Sequence, residues 1–137
     1  MLSAIQVISH GFRVFKLEAY EHYLDESHFV SHYAVEAIRR RSEDEQDLWD
    51  VTLSYCFGTK DGEPNGRYEG EIVVEGLFSI RPDFPEEKKE SLACENGGAV
   101  LLGAVREAVL NQTIRSINGP VELPMVDSRS FLPEGKR

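Results

Sequence analysis

Residues 48–57 read Leu-Trp-Asp-Val-Thr-Leu-Ser-Tyr-Cys-Phe. In this stretch Trp49, Val51, Leu53, Tyr55 and Phe57 occupy every second position, and polar or small residues lie between them. Successive side chains of a β-strand point to opposite faces of a sheet, so this alternation predicts a strand with one buried face. The stretch therefore predicts a sheet whose inner face lies on an apolar core.

Three further stretches carry the same alternation, namely residues 12–20, 29–38 and 68–80. Asp61-Gly62 and Pro64-Asn65-Gly66 lie between the third and fourth strands, and these residue types are typical of turns. These turn residues suit a rather long hairpin loop, so we expect those two strands to be antiparallel neighbours. Residues 39–47 contain three Arg followed by four acidic residues, which is typical of a solvated loop.

The pattern changes to helical after Ile80. Residues 81–85 contain two prolines that end the strand, residues 86–93 suit a short helix, and Gly97-Gly98 is expected to end it. Residues 99–117 then suit a long helix that stops at Asn118-Gly119-Pro120. The sequence predicts an α+β fold with a four-stranded antiparallel sheet and one short and one long helix packed on one face. We expect a single domain over residues 1–137, with a short irregular tail at residues 127–137.

The long helix is predicted to have two apolar faces. At 100° per residue one face carries Leu101 and Val105, while Leu110, Ile114 and Ile117 lie almost opposite. A helix that packs on a single sheet needs one apolar stripe, so the second stripe implies another partner. The chain's own tail or a second subunit could cover it. We favour a second subunit because the tail is short and contains two prolines, which makes Leu110, Ile114 and Ile117 the candidate oligomer interface.

Composition argues against several classes of partner. The chain has 137 residues, and 24 Asp and Glu against 15 Lys and Arg give a formal net charge of −9. Negative charge repels phosphates and anionic lipid, so we expect neither nucleic-acid binding nor membrane insertion. The longest apolar run, residues 99–105, is far shorter than the roughly 20 residues that cross a bilayer. The first residues do not resemble a secretion signal, so we expect a cytoplasmic protein.

Motifs of catalysis are missing from the sequence. It contains no glycine-rich phosphate loop, no HExxH and no GxSxG pattern. His28 and His32 would lie about 13 Å apart on a strand, too far to share a metal ion. Cys56 and Cys94 lack metal-binding spacing, and we expect both to be reduced and buried. We therefore predict no enzyme activity, no metal site and no cofactor.

Three stretches resemble the bacterial protein-export chaperone SecB. They are Glu75-Gly76-Leu77-Phe78-Ser79-Ile80, Arg106-Glu107 and Val121-Glu122-Leu123-Pro124-Met125-Val126-Asp127. Four strands, a brief helix and a long helix also follow in the family's order across residues 10–131, which is nearly the whole chain. The tail departs from the family, because Pro133 interrupts the stretch in which SecB-like chains form an amphipathic helix.

This resemblance implies an assembly and an activity. The assembly would be a homotetramer, a dimer of dimers with the long helices between its sheets. The activity would be that of an ATP-independent holdase that binds unfolded polypeptide clients and passes them to the motor protein SecA. Because the tail is shortened, the resemblance also allows a narrower set of clients.

Candidate site residues follow from residue type and from the resemblance. Aromatic residues that could contact clients are Phe29, Tyr33, Trp49, Tyr55 and Phe78, and each of them also suits an ordinary core position. Glu18 and Glu71 match, by position, acidic residues with which the family docks SecA. Glu69 stands where the family tends to have an apolar residue, which weakens that match.

Two other functions stay open. The same fold could serve as a non-catalytic adaptor or structural module that binds one dedicated partner, for example as a chaperone associated with a toxin–antitoxin pair. An enzyme that acts on a small molecule is the other alternative. Loss of an activity on substitution of His28 or His32 would support the enzyme.

Overall fold

Alternating side chains build the antiparallel sheet that the sequence predicts. The structure is a computed structural model that describes residues 2–23, 30–40, 46–60, 62–64, 66–133 and 135. The sheet strands are β1 (Ile5–Ala19), β2 (Ser31–Arg40), β3 (Asp47–Phe57) and β6 (Tyr68–Ile80), and their order across the sheet is β1-β6-β3-β2. The two-residue strands β4 (Thr59–Lys60) and β5 (Glu63–Pro64) pair in the loop between β3 and β6. Strands β1 and β2 therefore form the two edges of the sheet.

The two central strands match their predictions closely. β3 and β6 are antiparallel neighbours, and Trp49 lies opposite Phe78 in their register. Their connection begins at Gly58, whose φ of +95° places it in the left-handed region. A side chain at Gly58 would also lie 2.0 Å from the carbonyl oxygen of Tyr68, so only glycine fits this turn.

Strand β1 is longer than predicted. It begins at Ile5, not at Phe12, and pairs with β6 along its whole length. The register shifts between Val7 and Ser9 and again between Phe12 and Val14. Each irregularity inserts a residue that disturbs the alternation of faces, which is why the period-two pattern did not reveal the first half of this strand.

The predicted short and long helices are continuous. A 3₁₀ turn (Glu86–Lys88), α1 (Lys89–Leu92), a π-helical turn (Ala93–Gly97) and α2 (Gly98–Thr113) follow without a break. The expectation that Gly97-Gly98 ends a helix is wrong, because both glycines have helical φ angles of −62° and −59°. An added Cβ at Gly97 would lie 3.1 Å from Val51, and one at Gly98 would lie 2.8 Å from Phe131. The glycines therefore let the helix approach the sheet closely.

The long helix ends earlier than predicted, at Thr113 and not at Ile117. The Thr113 hydroxyl donates to the carbonyl oxygen of Val109 (2.8 Å) and accepts from the backbone N–H of Val121 (2.9 Å). The first bond lies within the helix, and the second joins its last turn to the chain that follows. Asn118 and Gly119 complete the reversal, and Gly119 has a φ of +80°.

The core lies between the inner face of the sheet and the helix. Its fully buried side chains come from both layers and from the segment after the helix: Val51, Leu53, Tyr55, Ile72, Val74, Phe78, Ile80, Leu101, Val105, Val109 and Leu123. The inner face is the one that the alternation in residues 48–57 and 68–80 predicts. The α+β architecture, with its sheet and one-sided helices, is therefore confirmed.

The tail returns along the helix on the side of β2. The Arg106 guanidinium donates to the carbonyl oxygen of Leu123 (2.9 Å), and Phe131 is buried against β2. Within the tail predicted to be irregular, Ser128–Phe131 forms a 3₁₀ turn capped by Asp127. The tail thus fills one flank of the helix and leaves the side opposite the sheet uncovered.

Candidate functional site

The five candidate client-binding aromatic residues occupy different environments. Trp49, Tyr55 and Phe78 are buried in the core of the subunit, whereas 37% of Tyr33 is exposed. Phe29 lies outside the described residues. Of the four candidates that the structure describes, Tyr33 is thus the one that a polypeptide could contact without a rearrangement of the core.

Tyr33 belongs to an aromatic series that runs inward from the sheet edge. Its ring stacks on Tyr55, directly opposite on β3, with 6.2 Å between centroids, and Tyr55 contacts Phe57 at 6.1 Å. The Tyr55 hydroxyl donates to the Ser31 hydroxyl (2.7 Å), and burial raises the pKa of the Tyr55 phenol. The series therefore presents a half-exposed ring, supported from behind, at the edge of β2.

The side of the helix that faces away from the sheet carries exposed aliphatic residues. Ile114 is 58% exposed and Ile117 is 93% exposed, while Leu110 is half-buried. We call these three residues the helix stripe. Ile114 and Ile117 are therefore exposed on the subunit, and the tail does not cover them. Ile117 lies four residues beyond the end of α2, so it extends the stripe past the helix.

A second apolar surface was not predicted from the sequence. Val7 and Phe12 of β1 are exposed, and a groove of about 510 Å³ lies between β1 and the helix, with Val7, Phe78 and Val100 among its lining. The helix covers the central strands and leaves this edge partly open. In the sequence, the apolar residues Ile5 and Val7 are two positions apart. This spacing could have indicated that β1 begins there with one face toward the core.

On the outer face of the sheet, several acidic side chains are paired with cations. Glu71 lies 3.9 Å from Lys16, and Arg13 binds Glu75 at 2.7 Å, which holds the pKa of the Glu75 carboxyl below its usual value. Glu18 is exposed and lines, with Glu71, a cleft of about 690 Å³. The two candidate docking acids therefore lie in one cleft, next to a cation that reduces its negative charge.

Charged residues predicted to lie in a solvated loop instead hold two layers together. Arg39 and Asp47 belong to β2 and β3, whereas residues 41–45 lie outside the described residues. Asp47 accepts hydrogen bonds from Arg39 (2.6 Å), from the Lys89 ammonium (2.6 Å) and from Trp49 Nε1 (3.1 Å). Arg39 also binds Glu86 at the start of the helix. This cluster joins the sheet edge to the first helical turn.

The histidine and cysteine residues considered for a metal site or for catalysis lie in different environments or outside the described residues. Among the residues that it describes, no three His, Cys, Asp or Glu side chains are arranged to hold a metal ion. His32 is exposed on β2, and His28 lies outside the described part of the chain. Neither cysteine is in a disulfide. Cys94 is buried as predicted, but the prediction that Cys56 is buried is wrong, because Cys56 is exposed and lines the cleft on the outer face. Within the same described ranges, no helix is long and apolar enough to cross a membrane.

Comparison with solved structures shows that the sheet and the helix packed on one of its faces form a SecB-like fold. One match is a SecB-like chaperone of Mycobacterium tuberculosis, Rv1957, in complex with a ChAD peptide from the antitoxin HigA1 (Rv1956). Its TM-score is 0.60 at 15% sequence identity, over 90% of this chain and 91% of that chain. A protein of unknown function from Streptococcus agalactiae matches with a TM-score of 0.57 at 16% identity, over 90% of this chain and all of that chain. No protein-family model matches the sequence, and no curated protein does.

Proposed function

We propose that this chain is a chaperone that holds an unfolded segment of one dedicated partner polypeptide, without ATP. The observation that carries the proposal is the half-exposed ring of Tyr33 on the edge strand β2, which stacks on the buried ring of Tyr55. The SecB-like fold supports it, since a protein of similar structure was solved with a bound antitoxin peptide. A holding function of this kind suits the cytoplasm, where new chains are still unfolded.

Strand β2 offers two kinds of contact to an extended segment. As an edge strand it can add a further strand through backbone hydrogen bonds, which do not depend on the client's sequence. Tyr33 adds an aromatic surface that favours large apolar side chains. Such contacts cover the client's exposed apolar residues and so prevent their aggregation, and no covalent step is needed.

A dedicated partner fits this surface better than a wide range of clients. A general holdase needs a large exposed apolar surface. Here three of the five candidate aromatic residues are core residues, which leaves a smaller surface around Tyr33. The alternative, a general holdase for protein export, would need additional surface from the β1 groove or from other subunits. Docking to SecA stays a prediction of the resemblance, and the pairing of Glu71 with Lys16 weakens its electrostatic basis.

We also propose that a second copy of this chain covers the helix stripe. Aliphatic side chains as exposed as Ile114 and Ile117 are costly in water, and a closed symmetric assembly would remove them from it. A homotetramer built as a dimer of dimers, as the SecB resemblance implies, would place this face of each helix against another subunit.

Aggregation assays distinguish a dedicated from a general chaperone. The purified chain, without nucleotide, is mixed at equal molar ratio with several unrelated, chemically unfolded proteins, and light scattering is followed as they are diluted from denaturant. We expect strong suppression for a client that carries an extended segment with exposed aromatic side chains, and little for most others. Suppression of all clients would indicate a general holdase. No suppression for any of them would contradict the chaperone proposal.

A further inference from the structure

The C-terminal segment fills a slot next to the proposed client surface. Phe131 is 3% exposed, and its ring packs edge-on against Tyr33 with 5.5 Å between centroids. An added Cβ at Gly98 would lie 2.8 Å from the same ring and 3.1 Å from Val35. The slot therefore has Tyr33 and Val35 of β2 as walls and the backbone of Gly98 as its floor, and it has the size of one aromatic side chain.

The segment that delivers Phe131 is organised by bonds within itself. Asp127 accepts from the backbone N–H of Arg129 (3.0 Å) and, through its carbonyl oxygen, from the N–H of Ser130 (2.9 Å). Its carboxylate also binds the Arg129 guanidinium at 2.6 Å. These bonds are local to a turn of four residues, which is too short to stay ordered by itself, so the turn opens and exposes its amides once it leaves the subunit.

Contacts between this turn and the subunit are modest for a core element. The Tyr33 hydroxyl donates to the Ser130 hydroxyl (3.0 Å), and the Ser128 hydroxyl donates to Glu95 (3.3 Å). Both bonds join side chains near the surface, where water can replace either partner. Burial of the Phe131 ring is therefore the main apolar attachment of the turn to the subunit.

We propose that Phe131 is a built-in competitor for the client: it occupies the slot in the free chaperone, and an aromatic or large aliphatic client side chain displaces it. This inference rests on the proposed function. A client that binds only the edge of β2 would leave the turn in place. A client whose side chain enters the slot must displace the turn. If the slot is open in about one molecule in ten, the apparent affinity for the client falls about tenfold. Such competition would favour clients whose bound segment places a large side chain next to Tyr33, at the slot.

Hydrogen exchange on the full, unmodified chain tests the displacement. The amides of Ser130 and Leu132 donate to the carbonyl oxygens of Asp127 and Arg129. A mass-spectrometric measurement compares the free chain with the chain saturated by the ChAD peptide or by reduced, carboxymethylated α-lactalbumin. We expect the peptide that covers residues 127–132 to exchange faster in the complex. Slower or unchanged exchange would contradict displacement.

Substitutions test the competition through client affinity. Phe131→Ala empties the slot, so we expect the affinity for either labelled probe, measured by fluorescence anisotropy, to rise about tenfold. Adding Gly98→Ala to that variant should abolish the gain, because the new methyl group occupies the slot. The matched control is Met125→Ala, in the same tail with 83% of the side chain exposed, which should leave affinity unchanged.

The outcomes separate this inference from the proposed function. Equal client affinity for the wild-type chain and Phe131→Ala would overturn the competitor role and leave the chaperone proposal standing. Weaker binding by Phe131→Ala, with unchanged circular dichroism, would make Phe131 part of the client surface and also overturn it. Failure of the wild-type chain and of every variant to bind either probe would count against the proposed function itself.

Discussion

Ile114→Asp is expected to break the assembly into smaller species while each subunit stays folded. On the free subunit this side chain is 58% exposed, so the substitution leaves the core intact. In the proposed assembly the new Asp side chain would be an unpaired carboxylate buried at the interface. Burying it costs several kcal/mol of association free energy for each subunit. Size-exclusion chromatography with light scattering should show a drop in mass, and circular dichroism should show unchanged secondary structure.

Ile38→Asp provides the matched control. Ile38 is 57% exposed, but it lies opposite Asp50 on the outer face of the sheet, away from the helix stripe. The same charge introduced there should leave the mass unchanged. An Ile114→Asp variant with the mass of the wild-type assembly would refute the placement of a second copy on the helix stripe.

Asp47→Ala is expected to destabilise the subunit by about 3 kcal/mol. The substitution leaves the ammonium of Lys89, which is 3% exposed, without its buried carboxylate partner, and it leaves Trp49 Nε1 without its acceptor. Removing one partner of a buried ion pair typically costs about 3–5 kcal/mol, and the remaining contact of Lys89 with Glu86 (3.1 Å) reduces that loss. Chemical denaturation with urea measures the difference.

Asp83→Ala serves as the control, because Asp83 pairs with Arg81 at the surface, where 75% of its side chain is exposed. Exposed pairs of this kind contribute about 0–1 kcal/mol, so this variant should unfold close to the wild-type midpoint. Equal stability of the two variants would contradict a structural role for the Asp47 cluster.

The same cluster predicts a dependence of stability on pH. Hydrogen bonds from Arg39 hold the pKa of Asp47 at about 2, below its ordinary value of 3.8. Because the pKa is lower in the folded state, the contribution is fully present above about pH 4 and is lost as the pH falls toward 2. Urea denaturation over this range should show a smaller acid-induced loss for Asp47→Ala than for the wild-type chain. Parallel pH profiles would contradict the assignment.

The sheet could be predicted from local pattern because one face of each central strand is buried. In β3 and β6 every second residue points to the core, so the alternation gave their bounds to within one residue. In β1 the irregularities after Val7 and Phe12 disturb that alternation, and the first half of the strand escaped detection. Pairing with β6, a non-local contact, is what makes those residues a strand.

Glycine in the helix carried an ambiguous signal. Gly97-Gly98 reads as a helix end because glycine commonly ends helices, but here it allows close packing against Val51 and Phe131. The two roles cannot be separated without knowing what lies opposite. For the same reason the burial of Phe131, far from β2 in sequence, could not be predicted, and neither could the slot that it fills.

The candidate site was predicted in part. Helical geometry predicts the stripe of Leu110, Ile114 and Ile117. Ile114 and Ile117 are exposed on the subunit, whereas Leu110 is half-buried and Ile117 lies beyond the end of α2. Their role as an oligomer interface stays a prediction. Residue type alone could not separate Tyr33 from Trp49, Tyr55 and Phe78, because all four lie on the inner face of the sheet. Which part of that face the helix covers depends on how the helix crosses the strands, and this is decided by tertiary packing.

Direct titration with an unfolded polypeptide tests the central claim, that this chain holds extended segments. Fluorescence anisotropy follows the binding of the purified chain to labelled ChAD peptide and to reduced, carboxymethylated α-lactalbumin, with native α-lactalbumin as the folded reference. We predict saturable, nucleotide-independent binding at micromolar or tighter concentration to at least one unfolded probe, and none to the folded reference. Absence of saturable binding to both unfolded probes, or equal binding to the native protein, would contradict the account.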